Sequence, residues 1–102
     1  MILALGANGV SLMQADDFHR FHCEINLPGA TLEVARAGFA DIAQLETSDT
    51  AWVDVEALLR LGRETGPPGW TASATAMIEK ARIHGWTRDD LWAVKDHVVG
   101  PI

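Results

Sequence analysis

The residues best suited to chemistry stand together between Asp16 and Glu24, in the run Asp-Asp-Phe-His-Arg-Phe-His-Cys-Glu. Imidazole and thiolate are the usual ligands of zinc and related metals, and carboxylates complete such sites. His19, His22 and Cys23 are therefore the candidate metal ligands. His19 and His22 are also the candidate catalytic groups, because imidazole exchanges protons near neutral pH. Asp16 and Asp17 stand close enough in sequence to orient or tune them. Cys23 as a nucleophile would need an electropositive, accessible surround, which Arg20 alone barely offers.

Which of these side chains converge depends on the backbone that carries them. On a strand, His19 and Cys23 share one face and His22 lies on the other. On a helix capped by Asp16 or Asp17, His19 would point with both His22 and Cys23. The aromatic and short apolar character of residues 18–25 favours a strand. The plainer alternative makes His19 and His22 partly exposed strand residues and Cys23 a small buried hydrophobe. The chain contains no CxxC and no HExxH, and His84 and His97 are single and distant in sequence. Gly6-Ala-Asn-Gly9 is neither a dinucleotide fingerprint nor a P-loop, and no GxSxG nucleophile elbow occurs.

Tryptophan is the second unusual feature, with four Trp and no Tyr. Trp70 falls at helical spacing with Met77 and Ile78 and belongs to a core. Trp52, Trp86 and Trp92 are the candidates for an aromatic face that holds a partner or an apolar ligand.

The elements that must position these residues follow from periodicity and punctuation. Ile2–Leu5 and Val10–Met13 flank the Asn8-Gly9 turn signal and predict a β-hairpin. Thr31–Glu46 predicts a helix on the spacing of Leu32, Ala35, Phe39 and Ile42, although Gly38 costs about 1 kcal/mol there relative to Ala. Two strands broken at Ala37-Gly38 are the alternative. Residues 51–55 read as a short strand or a first helical turn. Residues 56–61 read as a helix with Asp54 as N-cap, ended by Gly62. Residues 63–69, Arg-Glu-Thr-Gly-Pro-Pro-Gly, read as a loop. Trp70, Ala74, Met77, Ile78 and Ala81 then predict a helix over 70–84, with Thr71 as N-cap and Gly85 as its left-handed C′ residue. Leu91, Val94 and Val98 predict a second helix over 88–98, opened by a capping-box-like Thr87-Arg-Asp-Asp90. The expected fold is α+β. A small, mostly antiparallel sheet in the N-terminal half packs against helices, and the chain ends in an αα-hairpin.

Composition bounds the function. With 102 residues, 48% of them hydrophobic, the chain reads as a single domain (1–102) with enough apolar mass for a core. The lone Cys23 can form no internal disulfide, which fits a reducing cytoplasm. No apolar run approaches the length of a transmembrane helix. Ten of the fourteen acids lie in residues 1–71, and the net charge is −6. That balance argues against a nucleic-acid partner, which needs a basic face. The resulting expectation is a small, acidic, non-catalytic binding or accessory domain. It would engage a protein partner, or its own copy as a homodimer, through an acidic surface and an aromatic helical face. The alternative is a small enzyme or metal-binding protein built on residues 16–24. No cofactor is expected unless that cluster holds a divalent metal.

Overall fold

A computed structural model describes residues 1–88 and 92–100. These residues form a seven-stranded mixed sheet, curled into a half-barrel, and three helices. The first two strands are the expected hairpin. β1 (Ile2–Gly6) pairs antiparallel with β2 (Gly9–Met13), with Gly6 opposite Gly9. The turn needs a left-handed residue, and Gly9 supplies it at φ +108°. β3 (His22–Ile25) then returns beside β1 in parallel register.

α1 (Leu32–Phe39) starts where the Thr31 side chain caps it, accepting the Val34 N–H at 3.2 Å. It ends earlier than its apolar spacing implies. Ala40 turns left-handed at φ +49°, and the chain enters β4 (Ala43–Leu45). Ala43 and Leu45 are buried and Gln44 is exposed, which is the period of a strand. Gly38 lets α1 lie close to β1, since a Cβ there would sit 2.7 Å from a Leu5 methyl.

β5 (Thr50–Asp54) pairs antiparallel with β4 and leads directly into α2 (Val55–Thr65). Asp54 is the N-cap, its carboxylate accepting the Ala57 N–H at 2.8 Å. Gly62 does not end this helix. It is buried inside it, where a Cβ would stand 2.1 Å from the Trp70 ring. The missing side chain is the seat of that indole. α3 (Trp70–Ile83) follows, with Gly69 rather than Thr71 at its N-cap. Its buried face is Trp70, Ala74, Ile78 and Ala81, as the spacing predicts.

The C-terminal part corrects the expected architecture. No αα-hairpin closes the chain, and the sheet is a seven-stranded mixed one, neither small nor confined to the N-terminal half. After α3 comes the short β6 (Thr87–Arg88) and then β7 (Ala93–Val99), the longest strand. β7 lies between β3, which it meets in parallel, and β5, which it meets antiparallel, so it joins the two halves of the sheet. The supposed helical stripe of Val94 and Val98 is one face of this strand, with Asp96 between them, all three buried. An acid at the middle inward position hides the alternation, and the four-residue gap between the valines then mimics a helix. The valines themselves favour extended backbone. The expected stripe residue Leu91 and the capping-box acids Asp89 and Asp90 lie outside the described residues.

One core unites these parts. Leu3, Leu5, Cys23, Val53 and Val94 of the sheet meet Phe39 of α1, Leu58 of α2, and Trp70 and Ile78 of α3. Phe39 and Leu58 are fully enclosed, and burial of such a side chain stabilises by roughly 1.5–3 kcal/mol. No helix among the described residues is long and apolar enough to cross a membrane.

Candidate functional site

Asp96 is the buried polar residue of the core, 6% exposed. Its position follows from register. Cys23 of β3 stands opposite Val98 of β7, so Asp96 lies two residues back along the same inward face. The Cys23 Sγ–H donates to one Asp96 oxygen at 3.3 Å, and the His97 backbone N–H donates to the other at 3.0 Å. Burial pushes the Asp96 carboxyl up to about 7, while those two hydrogen bonds pull the other way. Burial, reinforced by the neighbouring carboxylate, pushes the Cys23 thiol far above the ordinary thiol range. Cys23 therefore stays protonated at neutral pH and serves as a donor to Asp96.

Asp96 also forms part of the wall of a cleft of about 460 Å3. The strand pattern helps to explain the opening. Along one edge of β7, β6 pairs at Ala93 and Val94, and β3 pairs from His97 onward. Lys95 and Asp96 fall between the two. Phe18, His19 and Phe21 from the segment before β3, Met77, Lys80 and His84 from α3 and its cap, Trp86, and Asp49 and Thr50 at the start of β5 also line it.

Local sequence places each of these side chains. The helix ends in a Schellman motif, in which Gly85 at φ +76° donates to the Arg82 carbonyl and Trp86 donates to that of Ala81. That turn throws Trp86 back beside His84, and the two rings stack with centroids 4.8 Å apart. The Trp86 carbonyl then accepts the Lys95 N–H at 2.7 Å, which ties the turn to β7. On the other side, Trp70 donates its indole N–H to the Ala15 carbonyl at 2.7 Å and tilts against Phe18 at 6.4 Å. These contacts fix the segment that carries Phe18 and His19.

The residues 16–24 are dispersed rather than gathered. His19 reaches the cleft. Asp17 accepts the backbone N–H of His19 at 3.3 Å, and Asp16 is exposed outside the cleft lining. His22 lies on the opposite face of β3 from Cys23, with its Nε2 3.4 Å from a Glu24 oxygen. His19, His22 and Cys23 do not converge. Among the described residues no group of three or more His, Cys, Asp or Glu is arranged to hold a metal.

The tryptophans part company too. Trp86, 53% exposed, borders the cleft. Trp52 lines a separate groove of about 470 Å3 with Arg36, Gln44 and Arg88. There its ring lies 5.5 Å below the Arg88 guanidinium carbon, and its N–H donates to Glu46. Arg36 in the same groove is held by the carbonyls of Leu45 and Glu46. The polar groups of that groove largely satisfy one another. Trp92 is exposed at φ +42°, and its carbonyl accepts the Val55 N–H. No helix presents Trp86 and Trp92 together, so the aromatic helical face is replaced by a single indole at the lip of a cleft.

Asp96, Lys80, Lys95 and His97 were not expected at a site. The legible signal was the pattern Val94-x-Asp96-x-Val98, an acid at an inward position of a β-branched strand. No known protein family, curated protein or solved structure matches this chain.

Proposed function

We propose that the chain is a non-catalytic binding domain whose recognition surface is the cleft between residues 18–21, α3 and β7. One observation carries this reading. Half-buried apolar side chains, exposed basic side chains and the buried carboxyl of Asp96 meet in one concavity of about 460 Å3, a size suited to a small organic ligand. Two-dimensional amide NMR of the intact chain with a library of small organic fragments tests it. The reading expects shifts concentrated at Phe18, Met77, His84 and Trp86. Fragments that bind only in the Trp52 groove, or no perturbation at millimolar concentration, would overturn it.

A catalytic reading has one specific observation in its favour. Asp96 titrates at about 7 beside a cleft that also holds His19, His84 and His97, and such a carboxyl suits proton transfer. The protonated state of Cys23 leaves that reading without a thiolate nucleophile. It would require that Asp96→Asn abolish a turnover that the folded variant otherwise retains the capacity to bind for.

A further inference from the structure

We infer that β2 is a pairing edge for a second copy of this chain, joined antiparallel about a two-fold axis at Ser11. The sheet path runs β2-β1-β3-β7-β5-β4, so β2 and β4 are its ends. The two ends are finished differently. β4 has three residues, and its Leu45 carbonyl is taken by the Arg36 guanidinium at 3.1 Å. β2 has five residues, each at least partly exposed. Pairing fixes which of its groups face away. The Met1 and Leu5 carbonyls accept from His22 and Asn26 on the β3 side of β1. Ile2, Ala4 and Gly6 therefore bond toward β2, where their partners are Met13, Ser11 and Gly9. Val10 and Leu12 are left to turn their N–H and C=O groups outward, and among the described residues no hydrogen bond is made to those groups. An open edge of this kind is a template for another strand.

The occupant follows from register. Antiparallel pairing about Ser11 sets Val10 opposite Leu12 of the other copy, and Leu12 opposite its Val10, so every outward N–H meets an outward C=O. An unrelated strand supplies the same bonds, but the outer face of this hairpin is also complementary to itself. The same register sets Met13 of each copy opposite Gly9 of the other. Met13 is 46% exposed, and a Cβ at Gly9 would meet nothing within 4 Å. A hollow of about 290 Å3 lies on that face, lined by Ala4, Gly6, Gly9, Ser11, Met13 and Asn26 among others, and a flexible thioether fills such a gap. Charge permits the contact. The chain carries −6, yet residues 1–15 contain no charged side chain. Asp16 and Asp17 lie beyond the end of the strand that faces the uncharged Ala7-Asn8 turn of the other copy. β2 lines no part of the cleft, so the two surfaces are independent.

Sedimentation equilibrium of the intact chain from about 10 μM to about 1 mM tests the inference. Two short strands cover less than a standard interface, so a weak dimer that dissociates at about 100 μM is expected. Ser11 is exposed, and Ser11→Lys sets two like charges across the axis. It should weaken the dimer about fivefold or more, as should Ser11→Glu. An equimolar mixture of the two variants should recover the wild-type affinity, which misfolded chains could not do. Amide exchange at Val10 and Leu12 should slow as the wild-type concentration rises. A chain that stays monomeric at about 1 mM, even one that binds an extended peptide along β2, would overturn the inference. So would a dimer indifferent to Ser11→Lys, since its contact would lie elsewhere.

Discussion

β1 and β7 occupy equivalent places, one on each side of β3 and both parallel to it, yet they are built differently. β1 is Ile-Leu-Ala-Leu-Gly, and its first four residues are buried on both faces. β7 alternates, with Val94, Asp96 and Val98 inward and Lys95, His97 and Val99 outward. The first strand is a packing element. The second places an acid at an inward position, level with the buried Met1 that precedes β1, and it stands at the one stretch of its edge between β6 and β3 where the cleft opens. Buried acids are costly unless hydrogen-bonded, and this one is answered by a thiol from the neighbouring strand. The contrast separates the part of the sheet that holds the fold together from the part that carries chemistry.

The contrast can be broken or sharpened by substitution. The largest effect is expected in β1. Leu3 is fully buried, so Leu3→Ala should lower unfolding stability by about 4 kcal/mol through lost burial and the cavity left behind, equally at pH 5 and pH 8. A loss below 1 kcal/mol in urea denaturation would mean that β1 is not the enclosed strand described.

In β7 the sign should reverse and the effect should depend on pH. Asp96 has an ordinary carboxyl value of 3.8 and is raised to about 7 in the fold. Between these two values the unfolded chain is ionised while the folded chain holds the proton. Wild-type stability therefore falls as pH rises from about 4 to about 7, and then levels. Asp96→Asn removes that loss. It should leave stability near the wild-type level at pH 4 and raise it at pH 8 by on the order of 4 kcal/mol. Urea denaturation across this range measures it, and a variant less stable than wild type at pH 8 would contradict the account.

Cys23→Ala should cost about 2 kcal/mol at pH 8, because it strips a buried carboxylate of a donor. Cys23→Ser, which keeps a donor, should cost less. Equal losses in the two variants would show that the thiol only fills space. The smallest effect belongs to the lysines on the cleft. K80Q/K95Q should change stability by less than about 0.5 kcal/mol in urea denaturation, as exposed side chains outside ion pairs do.

The sequence made the local elements readable and concealed how they join. Asn8-Gly9 announced the hairpin, Asp54 the start of α2, and the spacing from Trp70 to Ala81 together with Gly85 the whole of α3. Each of these is a short-range signal with its cause in neighbouring residues. β7 was misread because Asp96 replaced the apolar residue that would have completed its alternation, and the Val94–Val98 spacing then matched a helix. Gly38 and Gly62 looked like a helix defect and a helix end. Both are contacts, with Leu5 and Trp70, that no local pattern encodes. The site suffered most from this. Its lining comes from residues 18–21, the start of β5, α3 and the turn after it, and β7, and only the pairing of β7 with β3 and β5 brings them together. His19 and Trp86 were recognised as chemically useful from their types. Asp96, the residue on which the site turns, was recognisable only once the strand was known.

The most direct test is the carboxyl carbon resonance of Asp96 followed by NMR from pH 3 to pH 9 in the intact chain. A midpoint near 7, shifted in Cys23→Ala, is the result expected of an acid enclosed by β7 and bonded to β3. A midpoint near 4, indifferent to Cys23, would place Asp96 in water and contradict both the strand and the cleft built upon it.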